Sequence, residues 1–278
     1  MPSSNPSATH CLWSRILRNA ATLARLRVLE CLKQSTSRDI IGIGAGGDPT
    51  RRFDAVAEQA MVGYVKQFTA FTLLSEEAGM KQVGSSPKGF LIMDPIDGSA
   101  NLSRDISFAC IAIAYASELV FDAIECAVVV DLFSGKCYHA SRGGGAFRDR
   151  QSICPSKETP LEMSVVGIDA RFPPKAIKRN PKEIDRPSIR YTRHFGANAL
   201  ELCFVADGSL DGFIDLRGVF RGTDLAAASL ILKEAGVALI DQYGAAIKGR
   251  CTNDARYAYI AARDESCAKT LLNLASEK

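Results

Sequence analysis

The sequence predicts an α+β fold in which helices and strands mix in layers, and three stretches carry that expectation. From Leu12 to Leu32 apolar residues recur at helical spacing with arginines on the other face, the pattern of an amphipathic helix laid on a core. Gly89-Phe90-Leu91-Ile92-Met93 is a continuous apolar run that stops at Asp94-Pro95, as a buried strand does at the edge of its sheet. Asp224 to Ala235 reads as an Ala-rich helix, and Tyr257 to Ala262 as an apolar strand. Interleaving of this kind builds layers around shared cores.

The remaining elements follow in order. After the Gly-rich turn Gly42 to Pro49 comes a second helical stretch, Asp54 to Phe68, then a short strand, Phe71 to Leu74, ending in Ser75-Glu76-Glu77. Ser107 to Ala116 and Ala123 to Val130 read as neighbouring strands, and Lys136 to Phe147 as a third with a turn at Gly143-Gly144-Gly145. Arg171 to Arg190 is rich in proline, lysine and arginine and reads as a surface loop. Ala197 to Ala206 is helical in pattern, Gly212 to Leu216 strand-like, and Glu265 to Leu274 a closing helix. A boundary near Ser152 to Pro160 divides the chain into an N-terminal half, 1–152, and a C-terminal half, 153–278, which share a cleft.

With 278 residues, 47% of them hydrophobic, the chain can bury a sizeable core. Its net charge of +3 is the small difference between 34 basic and 31 acidic side chains, without a dominant block of either sign. That balance predicts neither a nucleic-acid nor a membrane partner. Nine scattered cysteines with no C-x-x-C pair predict a reduced, cytoplasmic chain. The first 29 residues lack acids, as a transit peptide does, but their apolar periodicity favours the first helix of the fold. Three histidines without a Cys/His ligand cluster leave little for zinc, so a metal here would be held by oxygen.

Chemistry concentrates in Asp94-Pro95-Ile96-Asp97-Gly98-Ser99. Two carboxylates three residues apart, in a tight turn between a strand and a helix starting near Ser99, can converge on one point. The amides of Gly98 and Ser99 are left to face an anion at the helix start. An isolated segment of this type also fits a turn plus an N-cap. Acids recur, however, at other element ends: Asp54, Glu76, Glu77 and Asp224. Gathered in one place they would repel unless a divalent cation neutralised them, and oxygen ligands beside a phosphate favour Mg²⁺.

These segments resemble the inositol monophosphatase family, and the resemblance covers nearly the whole chain. Ser75-Glu76-Glu77-Ala78-Gly79 is similar to its S-E-E-x-G, and Asp94 to Asn101 to its D-P-I-D-G-T-x-N with serine replacing threonine. Arg221 to Ala227 resembles its W/x-D-x-A-A segment, Glu234-Ala235-Gly236 its E-A-G, and Gly143 to Phe147 its G-G-G-A-F hairpin turn. Gly42 to Asp54 resembles the archaeal branch, whose members often accept both inositol monophosphates and fructose 1,6-bisphosphate. That branch usually carries A-D-G where this chain has Ala45-Gly46-Gly47, so Gly46 removes an acid and Asp48 is the nearest carboxylate.

The resemblance implies a layered αβαβα sandwich of the sugar-phosphatase type, two or three Mg²⁺ ions, a small phosphorylated polyol or sugar as substrate, and a homodimer. Carried over, Glu76, Asp94, Asp97, Asp224 and the carbonyl of Ile96 would ligate metal, with Asp54 near a weaker ion and Glu77 in support. Asp54 and Ser99 would align and deprotonate water, and the amides of Gly98 and Ser99 would bind phosphate. Gly196, Ala197, Asp215 and Arg217 would face the polyol or sugar. Lithium would inhibit if the weak site works as in the family. Three rivals stand beside this reading: a nucleotide phosphatase acting on an adenosine bisphosphate or NADP, a non-catalytic phospho-ligand-binding regulator, and an aspartyl-phosphate enzyme. The last uses a D-x-D spacing rather than the D-x-x-D found here.

Overall fold

The structure, a computed structural model, describes residues 6–169 and 189–276. The basic stretch read between Arg171 and Arg190 lies outside these apart from its last two positions.

Helix α1 (Pro6–Cys31) is followed by a small hairpin of β1 (Ile40–Ile43) and β2 (Pro49–Arg51), and then by α2 (Arg52–Val65). An eight-stranded sheet comes next, built from β3 (Phe71–Ser75), β4 (Gly79–Val83), β5 (Phe90–Asp97), β6 (Cys110–Ala116), β7 (Ile124–Asp131), β8 (Cys137–Ser141), β9 (Ala146–Arg148) and β10 (Gln151–Ser152). Its order is β10-β9-β8-β7-β6-β5-β3-β4. A single helical turn, α3 (Ser99–Leu102), follows β5. The second sheet contains β11 (Val165–Asp169), β12 (Tyr191–Arg193), β13 (Gly212–Arg221), β14 (Ala238–Asp241) and β15 (Arg256–Ala262), in the order β12-β11-β13-β15-β14. Helices α4 (Asn198–Ala206) and α5 (Gly222–Ala235) lie between the sheets, and α6 (Glu265–Ser276) covers the outer face of the second. The layers therefore run α, β, α, β, α.

Side-chain periodicity explains the stacking. In α2 the buried residues Phe53, Ala57, Met61 and Val65 recur every four positions and form one stripe. Along β5, Leu91 and Met93 join the core shared with α1 and α2, while Ile92 joins the core shared with α4 and α5. A strand covered on both faces has no polar side, hence its continuous apolar run.

Several boundaries differ from the sequence reading: the second helix is Arg52–Val65 rather than 54–68, the strand read from Ser107 starts at Cys110, and the one read as 212–216 runs on to Arg221. β5 does not stop at Asp94-Pro95 but continues to Asp97, because β6 still pairs with it there through a bulge. The Gly-rich turn at 42–49 is narrower than read, since β1 and β2 enter it from either side.

One contact ties two glycine-containing motifs together. The amides of Gly143 and Gly145 donate to the two carboxylate oxygens of Glu234 at 2.8 and 2.9 Å, so the hairpin turn between β8 and β9 is held by the C-terminal turn of α5.

Candidate active site

Strand pairing brings the first acids together. β3 and β5 run parallel with Ser75 opposite Met93, which sets Glu76 beside Asp94 at the C-terminal ends of both strands. The Glu76 amide donates to the Met93 carbonyl at 3.3 Å. In a regular strand, residues three apart point to opposite faces, so Asp94 and Asp97 would diverge. The bulge inserts one extra residue between them: Asp94 pairs with Ala112 and Asp97 with Cys110. The Asp94 carboxylate accepts from the Ile96 amide at 3.1 Å, which closes the local turn. Gly98 ends it at φ 92°, where a side chain would also press on the Phe108 carbonyl 2.9 Å away.

Helix α5 delivers Asp224 in its first turn, aimed at the end of β5. Glu76, Asp94 and Asp224 each present a carboxylate oxygen within 4.8 Å of the others. Asp94 is 4% and Asp224 9% exposed. Desolvation, then mutual repulsion, pushes Asp94 well above the usual carboxylate range; burial first and then the charge of Asp224 push Glu76 up to about 8. Three crowded oxygen donors under such repulsion fit a hard divalent cation, which would relieve it.

Asp54 comes from the first turn of α2, and Glu77 from the turn after β3. Asp54, 1% exposed, accepts from the Arg51 amide at 2.8 Å, and burial followed by the neighbouring Glu77 and Glu76 lifts it to about 8 despite that bond. Glu77 accepts from the Thr50 hydroxyl, and burial raises it as well.

Around the first turn of α4 lie Asp97, Gly98, Gly196, Ala197 and Asp215. Asp97 accepts from the Ala199 amide at 2.6 Å, and burial lifts it to about 7. A side chain at Gly98 would lie 3.1 Å from the Ala197 Cβ, so these two positions touch. Asn101 donates to the Phe108 and Phe195 carbonyls at 2.9 and 2.6 Å, and Glu201, fully buried, accepts from the Phe195 and Gly196 amides at 3.2 and 3.0 Å. Asp215 is also fully buried: it accepts from Asn198 at 3.3 Å and from the Arg217 guanidinium at 3.0 and 2.7 Å. Arg217 reaches Asp169 as well, at 2.5 Å, and His194 lies 3.4 Å from the same carboxylate.

The structure thus gathers Glu76, Asp94 and Asp224, sets Asp97, Asp54 and Glu77 around them, and joins Gly98 to the Gly196-Ala197 turn. Asp215 and the half-buried Arg217 form a separate pair linked to that turn through Asn198; Asp215 and Ala197, read as substrate-facing, are themselves fully buried, so Arg217 and Gly196 are the partly exposed members of that set. Sequence reasoning missed Asp169, Asn198, Glu201 and Arg221. Asn198 and Glu201 carried one available signal, a polar pair at a helix start directly after Gly196-Ala197; Asp169 carried none, because its partners lie 25 and 48 positions further along the chain.

Gly222 sits two residues before Asp224. A Cβ there would overlap the Arg250 carbonyl and lie 2.8 Å from the Thr252 nitrogen and 2.9 Å from the Cys251 Cα. Gly222→Ala is expected to destabilise the chain by about 1–3 kcal/mol in chemical denaturation, because backbone rather than a flexible side chain must yield.

The fold sets carboxylates converging at strand ends, an arrangement suited to holding a divalent cation. Residues 13–277 match the inositol monophosphatase family, and the chain belongs to it. It is 32% identical over 263 residues to the fructose-1,6-bisphosphatase/inositol-1-monophosphatase of Methanothermobacter thermautotrophicus, covering 90% of this chain and 91% of that protein. It is 33% identical over 226 residues to the bifunctional NADP phosphatase/NAD kinase of Methanococcus maripaludis, covering 75% of this chain but only 39% of that longer protein. A solved inositol monophosphatase-fructose 1,6-bisphosphatase superposes with a TM-score of 0.79 at 28% identity, covering 94% of this chain and 99% of that one. Among the described residues no helix is long and apolar enough to cross a membrane.

Proposed function

We propose that this phosphatase is Mg²⁺-dependent and hydrolyses a small phosphorylated polyol or sugar, inositol monophosphate and/or fructose 1,6-bisphosphate. The observation that carries the reading is the convergence of Glu76, Asp94 and Asp224 beside Asp97 and Asp54. These carboxylates and the Ile96 carbonyl would hold two or three ions, which when bound supply Lewis-acid activation of water and neutralise charge on the departing oxygen. Asp54, held by the Arg51 amide, and Ser99 align the attacking water and accept its proton, with Glu77 steadying that side of the site. The amides of Gly98 and Ser99 hold the phosphate. Water adds to phosphorus, the ester P–O bond breaks, and the alcohol leaves with a proton. Gly196 and Arg217 face the polyol or sugar, supported from behind by the fully buried Ala197 and Asp215, and the halves 1–152 and 153–278 supply opposite walls of the cleft. A homodimer in the cytoplasm completes the reading.

The test is inorganic phosphate release, with and without Mg²⁺, from inositol 1-phosphate, fructose 1,6-bisphosphate and NADP in parallel. Mg²⁺-dependent release from either of the first two supports the reading. Release from NADP alone would favour a dinucleotide substrate, a possibility given weight by the similarity to the NADP phosphatase half of the longer relative. Silence on all three from folded protein would point to a binding role.

Ser99→Ala is expected to slow turnover by about 10²-fold while metal affinity stays within about threefold, since the hydroxyl aligns water rather than ligating. Unchanged turnover would remove Ser99 from the reaction.

A further inference from the structure

The guanidinium of Arg221, immediately before α5, is paired with both Glu76 and Asp48. Its side chain is 13% exposed and that of Glu76 17%, whereas Asp48 is 66% exposed on the 44–48 turn. That turn hangs from the backbone next to the carboxylate cluster: the amides of Ala45 and Gly46 donate to the carbonyls of Glu77 and Glu76, each at 2.9 Å. Gly46 faces the guanidinium directly. A Cβ at Gly46 would overlap Arg221 Nη1 and lie 2.8 Å from Cζ and 3.1 Å from Glu76 Cγ. The position where the archaeal pattern carries an acid is therefore filled, in this chain, by an arginine reaching in from the other half of the molecule.

We infer that Arg221 is a resident cation of the carboxylate cluster: it occupies the space freed by Gly46, bridges Glu76 to the Asp48 turn, and competes with a divalent ion for Glu76. The inference rests on the metal-centre reading above and deepens it. A planar guanidinium can donate to two carboxylates at once, which an ammonium does less well. A fixed positive charge a few ångströms from three metal-binding acids also lowers their attraction for a second cation, and in a half-buried site that effect is not screened away. Arg221 is thus a positioning residue that limits how tightly the cluster loads.

The test uses Mn²⁺ alone as the probe, with free ion measured by electron paramagnetic resonance on the full chain without substrate. Two variants perturb the contact independently. Arg221→Gln removes the charge; Gly46→Ala keeps the charge but pushes the guanidinium out of its seat. Both are expected to bind Mn²⁺ at least about tenfold more tightly than the parent chain. Damage to a merely structural arginine would move affinity the other way, so weaker binding in Arg221→Gln overturns the inference, as does parent affinity in both variants. Tightening in Arg221→Gln with parent affinity in Gly46→Ala would overturn the part given to Gly46. Should none of the three proteins bind Mn²⁺, the metal-centre reading itself falls, a result distinct from equal binding by all three.

Discussion

Replacing Asp94 by asparagine is expected to lower Mg²⁺-dependent phosphate release by about 10³-fold or more while making the metal-free chain more stable. The two effects have one cause. Asp94 is 4% exposed, and its carboxylate lies among those of Glu76 and Asp224, with Asp97 three residues away. Asparagine has the same shape and can keep an oxygen at the Ile96 amide, so the bulge in β5 is preserved. What disappears is a negative charge, which a divalent ion needs and the metal-free cluster must otherwise tolerate. Melting in the presence of a chelator and phosphate release with Mg²⁺ should therefore move in opposite directions. A residue of purely structural importance would depress both, and a rate within about tenfold of the parent would take Asp94 out of the metal shell.

Stability of the metal-free protein should fall as pH rises from about 6 to about 8.5, and Mg²⁺ should restore more of it at the higher pH. Burial, reinforced by neighbouring acids, raises Asp54 and Glu76 to about 8 and Asp97 to about 7. Their ordinary values are 3.8 for aspartate and 4.5 for glutamate. Between the ordinary and the raised values the folded chain binds more protons than the unfolded one. The stabilisation is therefore complete below the ordinary values and is lost as pH climbs through 7 and 8. Arg221 beside Glu76 and the Arg51 amide on Asp54 reduce the effect without reversing it. Because the carboxylates must be ionised to ligate, binding of Mg²⁺ releases protons and its stabilisation grows with pH. Melting temperatures in chelator and in Mg²⁺ at both pH values check this; an Mg²⁺ shift that is equal at the two would contradict it.

Much of this site was legible because its acids sit where local patterns end. Glu76 and Asp94 each follow an apolar run short enough to be a strand, and Asp224 opens a segment rich in alanine, so each was placed at the mouth of an element. Their meeting was less legible. It depends on β3 and β5 pairing in parallel, and on a bulge that turns Asp97 to the same side as Asp94; neither register nor bulge is written in residues near those positions. The buried strands with unbroken apolar runs were found, whereas the short strands β1, β2, β4, β10, β11, β12 and β14 were not. Ile40 and Ile43 in β1 are exposed, and β12 is three residues long, so neither shows the periodicity that burial imposes. Arg221 was quoted only as part of a motif. Its partner Asp48 lies 173 positions away, and nothing short of the fold connects them.

The grip of Glu234 on the 143–145 turn bears on how far error can travel. Glu234 lies ten positions after Asp224 in α5, about 15 Å of helix at a rise of about 1.5 Å per residue. A helix is stiff along its axis, so the two ends keep a fixed spacing, like the jaws of a gauge. A displacement of Glu234 at the β8–β9 turn, remote from any reacting atom, would thus load the same helix whose first turn carries Asp224. Gly143 and Gly144 are themselves exposed, so an insertion there bears on the cleft only where it takes the two amides off Glu234.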